Sequence, residues 1–207
     1  MDRGLVLKRA FDLAVSVPAL VLSLPAQALT ALAVRLTMGR PVLFRQRRPG
    51  LDGEVFELVK FRTMHHEDPA RGRTDDASRL TATGRLLRKL SLDELPSLWN
   101  IVRGDMSLVG PRPLLERYLD RYSPEQARRH EVRPGLTGLA QVSGRNQVSW
   151  EDKLRLDVEY VDTRSFTGDL RILLATVRHV VRGTGVSADG EATMAEFRGT
   201  HAHGDRG

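Results

Sequence analysis

From Leu13 to Val34 the chain has no charged residue, and an apolar run of that length is a candidate membrane span. Pro18 and Pro25 lie inside it, and a proline removes a helical hydrogen bond and bends the helix. Arg3, Lys8 and Arg9 precede the run; Arg35, Arg40, Arg45, Arg47 and Arg48 follow it. Positive flanks stay on the cytoplasmic side of a membrane, so a straight span satisfies that rule at only one end. A re-entrant helix that bends near Pro25 and returns to the same face satisfies it at both. Such flanks would also meet an anionic phospholipid membrane, at roughly 1 kcal/mol per residue. Three other readings stay open. One is a kinked span. Another is a cleaved signal peptide, because Ala26-Gln27-Ala28 resembles a cleavage site, although the run continues past it and Asp12 is an odd neighbour. The third is a buried core helix, around which most of a small domain would have to pack.

Beyond the run, Pro41 to Phe44 reads as a short strand and Gln46 to Gly50 as a turn. Val55 to Phe61 alternates apolar and polar side chains, which predicts a second strand and a hairpin. His65 to Asp76 is a polar loop holding Pro69 and Gly72; its His65-His66 pair has no third ligand at a metal spacing. Leu80 to Leu90 predicts a basic amphipathic helix, with Leu80, Leu86, Leu87 and Leu90 on the apolar side. That helix is either a solvated face or an interfacial one, whose Arg85, Arg88 and Lys89 meet headgroups or a substrate phosphate. Leu114 to His130 reads as helical with a break near Ser123-Pro124, and Arg133 to Gly138 as a turn-rich loop. Ser149 to Asp152 resembles a capping box opening a helix to Val161. A last helix runs from Gly168 to Val181, ended by Gly183. The pattern is α+β, helix-dominated, with a small β-hairpin.

Composition narrows the partners. A chain of 207 residues makes one compact domain plus an appendage. Without cysteine there is no disulfide, thiolate ligand or thiol nucleophile. A net charge of +6 calls for an anionic partner: nucleic acid, anionic lipid or a phosphorylated small molecule. With 5% aromatics and no aromatic-basic interleaving, nucleic acid is the weaker option, and no nucleic-acid partner is expected.

The chemistry concentrates in Ser91-Leu92-Asp93-Glu94-Leu95-Pro96, which follows the basic helix end Arg85, Arg88 and Lys89 and precedes Gly110-Pro111-Arg112-Pro113. Adjacent carboxylates repel, so packing rarely calls for them. A site that holds a divalent cation against a phosphorylated substrate can use both, while Arg clamps phosphate oxygens. The plain alternative is a solvated helix start with acids near the positive dipole end. Asn100 and Asp105 are as well suited to capping turns as to touching substrate.

Four blocks taken in order resemble the bacterial sugar transferases, the monotopic polyprenyl-phosphate phosphoglycosyltransferases. They are Lys60-Phe61-Arg62-Thr63-Met64, Leu90 to Pro96, Gly104 to Pro113, and Arg133 to Val142. The resemblance implies a re-entrant membrane helix and basic flank in 1–40, a catalytic domain in 41–197 and a disordered tail in 198–207. Amphipathic interfacial helices and the hairpin would surround a cytoplasmic active site at the bacterial inner membrane. It implies transfer of a sugar-1-phosphate from a UDP-sugar to polyprenyl (undecaprenyl) phosphate with release of UMP. Asp93 would be the nucleophile and Glu94 its partner in holding Mg2+. Lys60, Arg62, Arg88, Arg112, Gln141, Arg145 and Asp157 match substrate-binding or polar positions around the site. Asp157 could equally be a structural ion-pair partner, Arg62 a surface one, and Arg145 a turn residue. The family's short members break the helix at Ser-Pro; here the pair is Leu24-Pro25, with Ser23 one residue early. The block 185–193 resembles the tail of enzymes that use a diacetamido sugar, pointing to an N-acetylated donor. An inactive membrane scaffold of a glycan assembly complex is the rival reading, and a homodimer is left open.

Overall fold

The computed structural model of the chain describes residues 3–144, 149–182 and 196–199. Arg145, the 185–193 block and most of the 198–207 tail therefore lie outside the described residues.

The apolar run forms α1 (Arg3–Leu22) and α2 (Leu24–Met38), bent by 57° at Ser23. Among the described residues no single helix is long and apolar enough to cross a membrane; this bent pair reaches that length together. Pro18 stays within α1, whereas Pro25 stands in the first turn of α2, where a missing N–H leaves no bond unmade. At the bend Ser23 Oγ donates to Leu20 O at 3.0 Å and accepts from Gln27 Nε2 at 2.9 Å. A hydroxyl thus takes up a carbonyl there, one residue earlier than a Ser-Pro pair would place it.

Two strand pairs follow. β1 (Leu43–Pro49) pairs antiparallel with β2 (Val55–Phe61). The stretch read as a turn is instead the end of β1, because Pro49 closes the ladder where no N–H is needed. The reversal comes later, through Leu51–Gly53, with Asp52 at φ 53° and Gly53 at φ 77°. β3 (Ser107–Val109) and β4 (Gly135–Thr137) form a parallel pair that local alternation did not predict. A Cβ on Gly135 would lie 2.1 Å from Gly110 N, so only glycine allows this approach.

The helices are α3 (Asp76–Arg79), α4 (Ala82–Lys89), α5 (Ser97–Arg103), α6 (Pro124–Ala127), α7 (Leu139–Ser143), α8 (Trp150–Thr163) and α9 (Phe166–Arg182). Thr81 starts α4 by accepting from Gly84 N at 2.9 Å. The helical stretch expected over Leu114–His130 is interrupted at Ser123-Pro124 as read, but its pieces are short. Two 3-10 turns, Glu116–Arg121 and Arg128–His130, flank α6, and Ser123 starts α6 afresh through a capping box with Gln126.

Residues of α1 share the core of the rest. Phe11, Ala19 and Leu20 pack against Leu98, Ile101, Met106, Leu108 and Val109. Buried Asp12 accepts from Leu108 N at 3.1 Å, which accounts for an acid beside an apolar run. Arg9 donates to Ile101 O and Val102 O at 2.6 and 2.9 Å, capping the C-terminal end of α5. Lys8 pairs with Asp169 at 2.6 Å, and Asp169 accepts from Tyr160 Oη at 2.8 Å. Of the flanking cations expected to face headgroups, Lys8 and Arg9 are thus committed within the protein. Arg45 and Arg47 pair with Glu57 and Glu116, and Arg48 turns into the cavity described next. Only Arg35 and Arg40 of the downstream flank stay exposed without such a pair among the described residues.

Candidate active site

α4 ends at Lys89, and Ser91 then takes the left-handed conformation at φ 55°. That costs a non-glycine residue about 1–2 kcal/mol. The chain reverses there and winds one 3-10 turn, Leu92–Glu94, before α5. α5 is fastened to β2 by its polar side chains. Ser97 Oγ donates to Val59 O at 2.8 Å; Asn100 Oδ1 accepts from Val59 N at 3.1 Å, and Asn100 Nδ2 donates to Glu57 O at 2.8 Å and to Asp105 Oδ2 at 3.0 Å. Asn100 and Asp105 are therefore scaffold, and what they hold in place is Lys60 against the carboxylate pair.

One oxygen of Glu94 accepts from both Lys60 Nζ at 2.5 Å and Arg112 Nη2 at 2.8 Å. Burial works against its ionisation, but the two cations outweigh burial and hold the carboxyl well below the usual carboxylate range. Asp93 is 9% exposed, and no hydrogen bond or ion pair engages its carboxylate among the described residues. Burial, and then the charge of Glu94, push the Asp93 carboxyl up, against the pull of Lys60, Arg88 and Arg112. Two adjacent acids are thereby driven apart: one fixed as an anion between cations, the other left unengaged. Arg88 Nε donates to Thr63 Oγ1 at 3.1 Å, which ties the end of α4 to the end of the hairpin. There Gly84 packs so closely that a Cβ would lie 1.9 Å from Thr63 O.

Arg112 is carried by a turn that has few donors of its own, since Pro111 and Pro113 lack N–H. Its three carbonyls are all taken. Pro111 O accepts from Gly135 N at 2.9 Å, Arg112 O from Arg129 Nη2 at 2.7 Å, and Pro113 O from Arg48 Nη1 at 3.1 Å. Arg129 is in turn paired with Asp157 at 2.7 Å, with side chains 1% and 3% exposed. Asp157 thus lies behind the turn, in a buried ion pair.

Arg48, Lys60, Glu94, Ser97, Arg112 and Gly135 line a cavity of about 30 Å3. Of the residues singled out from sequence, Lys60, Glu94 and Arg112 meet here, with Asp93 and Arg88 adjacent. Gln141 lies in the middle of α7; both polar atoms of its side chain are buried without a partner among the described residues. Arg62 is placed elsewhere. It donates to Met38 O, to Gly39 O at 2.9 Å and to Arg40 O at 3.3 Å. Those carbonyls at and beyond the end of α2 have no helical partner, and Arg62 satisfies them instead of facing the cavity. Arg48 was read as part of the basic flank. Carrying the strand through to Pro49 would have found it, because pairing Phe44 with Lys60 and Arg48 with Phe56 puts Arg48 and Lys60 on one face of the hairpin.

Among the described residues no cluster of three or more His, Asp or Glu side chains could hold a metal ion by protein ligands alone. The Asp93–Glu94 pair suits Mg2+ that arrives with substrate phosphates, since this ion takes one or two carboxylates and keeps its remaining positions for phosphate and water. Asp93 is unengaged, and only one Glu94 oxygen is committed, so the residues present fit such an ion.

An unengaged carboxylate, a second one clamped by cations, and an arginine on a pinned turn thus gather around one charged cavity. The chain belongs to the bacterial sugar transferase family, whose sequence pattern matches residues 3–183. It is 52% identical, over 95% of its length and 98% of the relative's, to the uncharacterized sugar transferase EpsL of Bacillus subtilis (strain 168). It is 44% identical to the UDP-glucose:undecaprenyl-phosphate glucose-1-phosphate transferase of Caulobacter vibrioides, over 82% of this chain and 68% of that protein. It is 37% identical to the undecaprenyl-phosphate galactose phosphotransferase of Salmonella typhimurium, over 86% of this chain and 41% of that longer protein.

Proposed function

We propose that the protein transfers a sugar-1-phosphate from a UDP-sugar to polyprenyl phosphate, releasing UMP, at the cytoplasmic face of the bacterial inner membrane. The observation that carries this reading is the unengaged Asp93 beside the Lys60–Glu94–Arg112 cluster. Asp93 attacks the β-phosphorus of the donor. The bond from that phosphorus to the bridging oxygen breaks, and UMP leaves with the electron pair. The phosphosugar then sits on the Asp93 carboxylate as an acyl phosphate. A phosphate oxygen of the polyprenyl acceptor attacks the same phosphorus and frees Asp93, so one difficult transfer becomes two easier ones. Arg112 and Lys60 place positive charge where the diphosphate lies, and Glu94 holds both in position. Asp93 and Glu94 would hold Mg2+, which supplies further neutralisation of the diphosphate when bound.

The test is a screen of UDP-sugars for UMP release with undecaprenyl phosphate as acceptor. Activity with at least one donor is expected, and none with any donor supports the scaffold reading instead. The 185–193 block supports an N-acetylated donor, whereas the relatives above are named for glucose and galactose; the screen separates these.

The bent α1–α2 pair is read as re-entrant. Apolar side chains stand exposed along it, including Leu22 (80%), Leu36 (76%) and Leu29 (69%), and also at Leu86 on α4, at Leu90 just after it and on α9 at Leu174 (72%) and Val177. Together they would seat the molecule in one leaflet. Single cysteines introduced near Arg3 and near Arg40 are expected to react with an impermeant thiol reagent only after the membrane is opened. Labelling of one end in intact cells would establish a spanning helix.

A further inference from the structure

We propose that Arg48 is a second phosphate-binding arginine of the donor pocket, receiving, with Arg112, the charge of the nucleoside diphosphate and of the departing UMP. This deepens the donor reading above and rests on it. Arg48 shares a hairpin face with Lys60 and lines the same cavity as Glu94 and Arg112. Its two hydrogen bonds go to neutral acceptors, Pro113 O at 3.1 Å and Gln46 Oε1 at 2.5 Å. A guanidinium offers five N–H donors, so three remain, and its Nε is buried with no partner among the described residues. No carboxylate pairs with it there. The contrast with Arg129 is direct: both arginines hold a carbonyl of the Arg112 turn, but only Arg129 has a carboxylate, Asp157, to balance its charge. The cavity wall therefore carries Arg48, Lys60 and Arg112 against Glu94 alone.

A half-buried cation without a counter-charge is costly, and an arriving phosphate offsets that cost. Burial first, and the neighbouring Arg112 next, push the Arg48 guanidinium down to about 10. With Arg48, Lys60 and Arg112 on its wall, the cavity offers its positive charge to a phosphate group. The phosphate end of the donor is what fits it.

The experiment measures UMP binding by calorimetry to the full chain in nanodiscs, for wild type, Arg48→Gln and Arg48→Lys, with thermal unfolding as the folding control. Arg48→Gln is expected to weaken UMP by about tenfold or more, the usual worth of a charge-assisted hydrogen bond. Arg48→Lys keeps the charge but loses the fork, and is expected to weaken UMP by about threefold or more. Folded variants that bind UMP within about twofold of wild type while turning over slowly would overturn the proposal, leaving Arg48 as a brace for the Arg112 turn. Should Arg48→Gln fail to fold, Arg48→Lys decides by the same criterion. A wild-type protein that neither binds nor releases UMP overturns the donor reading itself, and this proposal with it.

Discussion

Asp93→Asn is expected to fold and to lower UMP release by at least about a thousandfold, because it removes the attacking oxygen while keeping shape. No labelled phosphosugar should remain on the protein after incubation with donor alone. Substantial release by this variant would remove Asp93 as nucleophile. The substitution also has a stability signature of predictable sign. Burial and Glu94 raise the Asp93 carboxyl above its ordinary value, so its ionised form is tolerated less well in the folded protein than in the unfolded chain. Native stability is therefore lost as pH rises from the unfolded value, about 3.9, through the raised folded value. Asn has no proton to lose. At neutral pH the variant should melt at a higher temperature than wild type, and the gap should close below about pH 4. The acid limb of the wild-type pH–rate profile should correspondingly lie above the ordinary Asp range, since attack needs the ionised form. Melting curves at both pH values and a profile of kcat/KM check these signs.

The parts of the site legible in the sequence are those written locally. The basic helix end at Lys89, the adjacent acids and the Pro-Arg-Pro turn each occupy a few consecutive residues. So does the bend within the apolar run, although of its two prolines only Pro25 marks it and Pro18 stays inside α1. What sequence missed depends on pairing across long separations. Arg128 and Arg129 are neighbours with identical local context. Yet Arg128 sits at the surface among Glu125, Glu131 and Asp162, while Arg129 is buried on Asp157. No periodicity separates adjacent arginines in a 3-10 turn. Arg62 sits in a family block, but its backbone position brings it to the end of α2, a contact that only tertiary structure creates. Lys8 and Arg9 read as a membrane flank because charge alone is visible in sequence; their partners, Asp169 and the carbonyls of α5, lie far along the chain.

Asp157→Asn is expected to be the most destabilising single change near the site. It leaves the Arg129 charge buried without its counter-ion, a loss of about 3–5 kcal/mol. For a chain of this size that lowers the melting temperature by roughly 6–20 °C. Turnover should fall as well, because Arg129 donates to Arg112 O and so helps hold the turn that aims Arg112 at Glu94. These two consequences separate in a double variant. Replacing both partners by apolar residues of similar volume, Arg129→Met with Asp157→Leu, removes the uncompensated charge and should bring the melting temperature back toward wild type. Arg112 O would still lack its donor, so turnover should stay reduced, with the larger change in kcat rather than in KM for the polyprenyl acceptor. Melting and steady-state kinetics on the three proteins test this directly. A double variant that recovers stability and full turnover together would show that the buried pair supports the fold alone. Stability restored with turnover still low assigns Asp157 and Arg129 the positioning of Arg112.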